Sequence, residues 1–353
     1  RVESSVSYTL GSNVENIRLT GSSDLDATGS ADDNFIRGNS GANTLIGNAG
    51  DDILFGDAQD ILERFVSILP GRDVLRGGRG ADKLYGDLRE AGPDMFLIEP
   101  ARNPDRPVGN DRLFGGAGRD RVEGGWGGDR IFGGEGGDRL FGDAGRDRIA
   151  GEAGADRLWG GLGNDSLDGG AEGDTLAGNG GAGDDRLDGA SGRDRLFGGA
   201  GRDRLDGAGA ADSVSGGGAA DLVKGGGGED FLYGGGGRDE LVGGRADDRL
   251  FGGGGADAMF GGPGEDWLEG GAGADRLYGE EGPDTFRLHR GGGADVAEDF
   301  DPDEDWLSVE RAIGGVDLHE SSRGVIVSGG GASMLLLGTT LADLDPAVHD
   351  WAG

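Results

Sequence analysis

A single apolar residue recurs along the chain at a fixed interval, separated from the next by glycine and polar residues. The interval is nine residues throughout, except once, where it is eleven. Glycine-rich spacers disfavour a helix, while the three residues centred on each apolar position can alternate between two faces. The pattern predicts short strands joined by tight glycine turns. The apolar positions are Leu113, Val122, Ile131, Leu140, Ile149, Leu158, Leu167, Leu176, Leu187, Leu196, Leu205, Val214, Val223, Leu232, Leu241, Leu250, Met259, Leu268, Leu277 and Phe286.

An aspartate stands two residues before every one of these apolar positions, and we call these residues the ladder aspartates. Twenty tandem copies of one unit indicate a solenoid, in which each repeat packs only on its neighbours. The ladder aspartates are Asp111, Asp120, Asp129, Asp138, Asp147, Asp156, Asp165, Asp174, Asp185, Asp194, Asp203, Asp212, Asp221, Asp230, Asp239, Asp248, Asp257, Asp266, Asp275 and Asp284.

The repeated unit resembles the nonapeptide GGxGxDxUx of the repeats-in-toxin family, a signature of calcium-binding parallel β-helices. Residues 191–207, SGRDRLFGGAGRDRLDG, contain two near-copies, the match runs from Gly109 to Phe286, and a weaker version runs from Asn34 to Ile98. The resemblance implies an all-β fold, a right-handed parallel β-roll (a β-helix solenoid) of stacked nonapeptide repeats with a C-terminal β cap.

Two nonapeptides make one full coil, so each turn lies over the second turn along the chain and not over the next one. Parallel neighbours lie about 4.8 Å apart. The ladder aspartates therefore form two columns. Asp194 is expected to stack on Asp212 and not on Asp203, its neighbour in the sequence.

Stacked carboxylates repel one another unless a cation lies between them. Calcium suits such a site because it takes six to eight oxygen ligands in flexible geometry, and glycine turns expose their carbonyls. We predict calcium ligands at Asp52, Asp73, Asp82 and all twenty ladder aspartates. If each ion is shared between two stacked turns, the long roll binds about 16 ions, or about 18 if the roll continues through the eleven-residue spacing. Asn34 and Asn43 replace aspartate in the first repeats, which lack that charge.

Interruptions of the repeat suggest five segments. Residues 1–33 form a strand-rich lead-in, and residues 34–98 form a short first roll with a helical insertion at 57–69. Residues 99–108 form a linker, and residues 109–287 form the long calcium roll. Residues 288–353 contain strand-like stretches such as GVIVS and SMLLLG, and resemble the cap and type I secretion signal region of the family.

Composition narrows the possible partners. The net charge of −34 disfavours nucleic acid and anionic membranes and favours cations. There is no cysteine, and no apolar run is long enough for a membrane span. Arginine follows the ladder aspartate in 11 of the 20 repeats and is expected to point outward, as are the aromatic residues that end many strands. These side chains most simply cover the sheets. The arginines could also contact an anionic surface polysaccharide, and the aromatic residues could bind a partner or a sugar.

Two functions fit these features. The first is a calcium-binding extracellular structural or interaction protein, of adhesin, matrix or surface-layer type, which folds on calcium after type I secretion. The alternative is the C-terminal calcium-folding and secretion module of a larger secreted enzyme, a protease, lipase or epimerase. The three histidines are scattered and no catalytic motif is found, so the chain itself is expected not to be an enzyme. Its expected partners are calcium and either a cell-surface polysaccharide or further copies of the chain.

Overall fold

The computed structural model describes residues 1–56, 74–79, 83–85, 110–178, 183–309 and 317–344. The regular secondary structure of the described residues consists of strands, and no described residue is in a helix. The chain divides into two compact units, Arg1–Ala171 and Glu172–Gly353. The helix expected at 57–69, the linker expected at 99–108, Asp73 and Asp82 lie outside the described residues.

The first unit contains sixteen of the described strands. They are β1 (Val2–Ser4), β2 (Tyr8–Thr9), β3 (Asn16–Leu19), β4 (Asp26–Thr28), β5 (Phe35–Arg37), β6 (Thr44–Ala49), β7 (Ile53–Phe55), β8 (Val74–Arg79), β9 (Lys83–Tyr85), β10 (Arg112–Ala117), β11 (Arg121–Trp126), β12 (Arg130–Glu135), β13 (Arg139–Ala144), β14 (Arg148–Ala153), β15 (Arg157–Leu162) and β16 (Ser166–Ala171).

The second unit contains eighteen of them. They are β17 (Thr175–Ala177), β18 (Arg186–Ser191), β19 (Arg195–Ala200), β20 (Arg204–Gly209), β21 (Ser213–Gly218), β22 (Leu222–Gly227), β23 (Phe231–Gly236), β24 (Glu240–Arg245), β25 (Arg249–Gly255), β26 (Ala258–Pro263), β27 (Trp267–Gly273), β28 (Arg276–Glu281), β29 (Thr285–Leu288), β30 (Gly293–Ala297), β31 (Trp306–Val309), β32 (Asp317–Glu320), β33 (Gly324–Gly329) and β34 (Ala332–Leu337).

Within each unit a strand pairs in parallel with the second strand along the chain. Leu113 of β10 lies beside Ile131 of β12, and Leu196 of β19 lies beside Val214 of β21. Consecutive strands therefore alternate between two ladders, as in a β-roll. This confirms the predicted coil made of two nonapeptides.

The recurring apolar residues form the core between the two ladders of each unit. All twenty predicted positions are at most 2% exposed. The buried row extends into earlier coils through Ile36, Leu45, Leu54, Leu75 and Leu84. Complete burial of a leucine stabilises the fold by about 1.5–3 kcal/mol, so this row is the main apolar contribution.

The strands of the roll are longer than the three residues predicted. Most contain six residues, because the ladder continues through the glycine pair, as where Gly116 pairs with Gly134. At Gly134 the backbone has a φ of 114°, and a Cβ there would lie 1.9 Å from the carbonyl oxygen of Gly116. Glycine therefore lets the strand bend into its turn without losing contact with the coil below.

Two predicted boundaries are not breaks in strand pairing. The lead-in strands already stack as coils, with Val2 beside Ile17 and Asp26 beside Thr44. Strand β8 pairs with both β6 and β10, so the predicted first and long rolls share a ladder. The physical reason is that Leu75 keeps the inward position of Leu113, and the edge of its coil remains available for pairing.

The eleven-residue spacing between Asp174 and Asp185 does not interrupt pairing within the second unit. Leu176 of β17 lies beside Leu196 of β19, and the Asp174 amide donates to Oδ1 of Asp194 at 2.7 Å. This column therefore continues with an offset of 20 residues, where Asp194 and Asp212 are 18 residues apart.

At the C-terminal end of the second unit, strand pairing changes from parallel to antiparallel. Strands β32, β33 and β34 form an antiparallel sheet, and β34 also pairs in parallel with β30 of the roll. The GVIVS and SMLLLG stretches form β33 and β34, with Val325, Val327, Met334 and Leu336 fully buried. This arrangement covers an otherwise unpaired strand edge.

Candidate metal centre

Every described ladder aspartate lies just before a strand, with its side chain inside the roll. All twenty are at most 4% exposed. The inward direction follows from the alternation of the strand, because an aspartate two residues before a buried leucine points to the same side. Carboxylates are rarely buried in this way without a compensating partner.

The aspartates are linked along each column by hydrogen bonds from backbone to side chain. The amide of Asp194 donates to Oδ1 of Asp212 at 2.7 Å, and the amide of Asp212 donates to Oδ1 of Asp230 at 2.7 Å. In the other column, the amide of Asp203 donates to Oδ1 of Asp221 at 2.8 Å. Asp194 thus stacks on Asp212 and not on Asp203, as the coil register predicts.

The second carboxylate oxygen is what makes these columns unusual. Oδ2 is buried and makes no hydrogen bond with the protein at many positions. A buried oxygen left without a partner costs about 1–3 kcal/mol, and more when it carries charge. These positions include Asp129, Asp138, Asp147, Asp194, Asp203, Asp212, Asp221, Asp230, Asp239, Asp248, Asp257 and Asp266.

From Asp129 to Asp147 and from Asp194 to Asp266, each Oδ2 lies beside a glycine and a carbonyl oxygen of the next coil. A Cβ placed on Gly207 would lie 2.6 Å from Oδ2 of Asp212 and 2.7 Å from the carbonyl oxygen of Gly225. Gly216 has the same relation to Asp221 and Gly234. Two acceptor oxygens therefore point into one small space beside a glycine that has no side chain to fill it. A hard cation that prefers oxygen ligands, such as calcium, fits this donor set.

Burial also makes the carboxylates poor acids. It raises the pKa of Asp212 to about 7, and the charges of Asp230 and Asp194 add to this effect, although the Asp194 amide opposes it. Burial raises the pKa of Asp147 and of Asp248 to about 8. Near neutral pH, these side chains therefore require either a proton or a cation.

The candidate ligands are oxygens, because at Asp212 and Asp221 the carboxylate Oδ2 and a glycine carbonyl oxygen lie beside the same space. Among the described residues, no group of three or more histidine, cysteine, aspartate or glutamate side chains is placed to hold a metal ion. Each coil supplies one carboxylate per column, so any ion between two turns would depend on glycine carbonyls for the rest of its ligands.

Two further aspartates continue the columns and were not predicted from the sequence. The amide of Asp275 donates to Oδ1 of Asp295 at 3.2 Å, and the amide of Asp284 donates to Oδ1 of Asp305 at 2.9 Å. Their offsets are 20 and 21 residues, which breaks the nine-residue count. The remaining signal is an aspartate two residues before a buried apolar residue, here Ala297 and Leu307.

In the first coils, an uncharged asparagine stands at the position of the ladder aspartate. The side-chain Nδ2 of Asn43 donates to the Leu25 carbonyl at 2.9 Å. The side-chain Oδ1 of Asn43 accepts the backbone amide of Asn39 at 2.7 Å. An asparagine donor thus bonds a carbonyl of the preceding coil. Asp52 is fully buried and accepts the Asn34 amide at 2.7 Å, so it is placed like the ladder aspartates.

Outside the columns, the predicted arginines and aromatic residues lie on the outer faces. Arg112, Arg130 and Arg148 are exposed. Aromatic rings stack between neighbouring coils, with centroids 5.0 Å apart for Phe114 and Phe132 and 4.5 Å for Phe141 and Trp159. These contacts add to sheet packing.

A comparison with protein families points to the same chemistry. A family model described as the RTX calcium-binding nonapeptide repeat matches residues 28–60, 69–88, 108–140, 141–176 and, through overlapping matches, 179–297. None of the curated proteins compared with the chain matches it. In the described residues, no helix is long and apolar enough to cross a membrane.

The chain is also similar to an X-ray crystal structure of a hyperactive, Ca2+-dependent, beta-helical antifreeze protein from an Antarctic bacterium. The two chains are 18% identical, and the match covers 82% of this chain and 78% of the other, with a TM-score of 0.32.

Proposed function

Because the chain belongs to the RTX calcium-binding nonapeptide repeat family, we propose that it is an extracellular structural or interaction protein whose fold depends on calcium. The observation that carries this proposal is the column of buried carboxylates with unpartnered Oδ2 atoms, repeated coil after coil. Calcium bound between turns would neutralise these groups. Each ion would then stabilise two coils at once.

The energetics of one repeat explain why folding would wait for the ion. Ordering a residue costs about 1–2 kcal/mol, and a repeat has nine of them. One buried leucine and a few backbone hydrogen bonds offset only part of this cost. The ladder aspartate opposes folding further when it is charged and unpaired.

This dependence suits a chain that is exported unfolded. Extracellular calcium sites typically have dissociation constants of about 10⁻⁴–10⁻³ M, and would stay empty at cytosolic calcium levels. We propose type I secretion, with the signal in the region after residue 288, followed by folding outside the cell. Deleting residues from about 290 onward should then abolish export, and normal secretion of that truncated chain would contradict this route.

We further propose that the protein acts by contact and not by catalysis, as an adhesin, matrix or surface-layer component. The support is a repeated roll whose outer faces carry arginine and aromatic rows, available to a polysaccharide or to other copies of the chain. The intact mass of the native protein would separate this function from that of a secretion module, since a much larger species would indicate an attached enzyme.

Calcium dependence is tested by circular dichroism and small-angle scattering at neutral pH. In chelator, we expect an expanded chain with little β signal, and millimolar calcium should restore a compact β structure. Magnesium at the same concentration is the control, because it keeps its waters and requires stricter octahedral geometry. A full β signal in excess chelator at neutral pH would refute the proposal.

A further inference from the structure

One outer face of the second unit carries a groove with two chemically different walls. The groove has a volume of about 780 Å³ and runs along several coils. One wall is a row of residues that begin successive strands of one ladder. The other wall consists of the residues that precede the ladder aspartates of the same coils. On the other ladder, the corresponding places hold three alanines and one arginine and no acidic residue: Ala220, Arg238, Ala256 and Ala274.

The first wall presents aromatic rings at alternate coils. Phe231 pairs with Arg249, Arg249 with Trp267, Trp267 with Thr285, and Thr285 with Trp306. Successive rings are therefore two coils apart, or about 9.6 Å at 4.8 Å per coil. Phe231 and Trp306 are 44% and 49% exposed, which is unusual for side chains of this size.

Neighbouring side chains hold these rings in place. The Phe231 ring packs against Phe251 with centroids 5.0 Å apart. The Arg287 guanidinium lies 5.5 Å from the Trp267 ring and forms a salt bridge with Glu269. Phe231 and Trp267 thus have little freedom to lose when a partner binds.

The second wall is acidic. Glu229, Asp247 and Glu265 follow one another on adjacent coils, and the Glu265 amide donates to Oδ1 of Asp247 at 2.9 Å. The Arg249 guanidinium belongs to the opposite wall, between two of the rings. A polyanion would meet three carboxylates, and a polycation would meet Arg249 at the centre. The charges therefore exclude a polyanion, and the exposed rings on either side of Arg249 favour a neutral partner with apolar faces that can both donate and accept hydrogen bonds.

We propose that this groove binds an extended neutral polysaccharide, with the chain lying along the roll. Sugar hydroxyls would donate to the carboxylates and accept from Arg249, while the C–H faces of alternate sugars would cover the rings. This deepens the proposed function and rests on it, because ordered coils are needed to keep the two walls in register.

The test uses the full chain in millimolar calcium, with cellulose and chitin as neutral probes, alginate as a polyanion and polylysine as a polycation. We expect retention on a neutral probe. Trp267→Ala and Trp306→Ala should each weaken it by about tenfold, and Glu265→Gln by a smaller factor. Phe197→Ala is the matched control and should bind like the parent, since Phe197 is 44% exposed and lies outside the groove.

Circular dichroism of every sample separates the two proposals. A parent chain that folds in calcium but binds neither neutral probe overturns the groove assignment alone. So does an equal loss in Phe197→Ala, or binding of alginate or polylysine that depends on Trp267. A parent chain that calcium does not fold overturns the proposed function instead. Because Trp306 is half exposed, its variant should fold even if Trp267→Ala does not.

Discussion

At the scale of the residue, each ladder aspartate has two oxygens with different tasks. Oδ1 accepts the amide of the preceding coil, as from Asp194 to Asp212, and Oδ2 faces a glycine and a carbonyl. Aspartate is therefore both a part of the backbone network and a source of unbalanced charge. Asparagine carries no charge, and Asn43 bonds differently: its Nδ2 donates to the Leu25 carbonyl of the preceding coil, and its Oδ1 accepts the backbone amide of Asn39 in its own turn.

Removing one carboxylate should loosen two coils. We expect Asp212→Ala to lose about two calcium ions and to cost about 1–3 kcal/mol, because the Asp194 amide loses its buried acceptor. Native mass spectrometry and hydrogen exchange across β19–β23 measure both effects. Asp206→Ala removes an acid from the outer face of β20 and should change neither. Equal calcium loss in the two variants would contradict the assignment.

A few non-glycine residues in the turns have a left-handed backbone, which should cost stability. Ala208 has a φ of 70°, where glycine is preferred. We expect Ala208→Gly to raise the stability of the calcium-loaded protein by about 0.5–1 kcal/mol, after the larger chain entropy of glycine is counted. Thermal unfolding in calcium measures this. Ala200→Gly, at a position without positive φ, should instead be neutral or destabilising.

At the scale of the element, the coil was predictable because one apolar residue and one aspartate recur at fixed places. The burial of all twenty apolar positions and the pairing of Asp194 with Asp212 followed from that count. The nine-residue spacing does not hold where the offset between coils grows to 20 or 21 residues, so it did not predict Asp295 and Asp305. The length of the strands also escaped prediction, because glycine has no side chain whose pattern could show that it continues the ladder.

The asparagine-bearing coils should need less calcium than the aspartate coils. During stepwise removal of calcium from the full chain, we expect amides of β6 to keep protection from hydrogen exchange longer than amides of β21. Asn43→Asp removes the donor to the Leu25 carbonyl and should make β6 as sensitive to calcium as β21. Unchanged protection in that variant would show that the asparagine does not substitute for an ion.

At the scale of the whole molecule, the titration of the columns sets the response to pH. Burial raises the pKa of Asp212 and Asp257 to about 7 and of Asp147 to about 8, above the usual value of 3.8. For a group whose pKa is higher in the folded state, the stabilisation is complete below the unfolded pKa. It is lost as the pH rises through the folded pKa.

The calcium-free chain should therefore show more β structure at pH 4 than at pH 8, with the β signal falling as the pH rises from the unfolded value of 3.8 towards the folded values of about 7 to 8. Calcium should reverse the trend, because binding requires deprotonated carboxylates and strengthens over the same range. Circular dichroism in calcium-depleted buffer and in millimolar calcium measures both series. A calcium-free β signal that rises with pH would contradict the buried columns.

The buried columns also determine how the particle behaves as a colloid. About 16–18 divalent ions would add about 32–36 positive charges to a chain of net charge −34. Calcium would thus convert a self-repelling polyanion into a nearly isoelectric particle at neutral pH, with its remaining charges confined to surface rows. Electrophoretic mobility should fall towards zero as calcium is added. Particles without net repulsion come into contact readily, so the ions that order the chain would also permit it to form gels or layers.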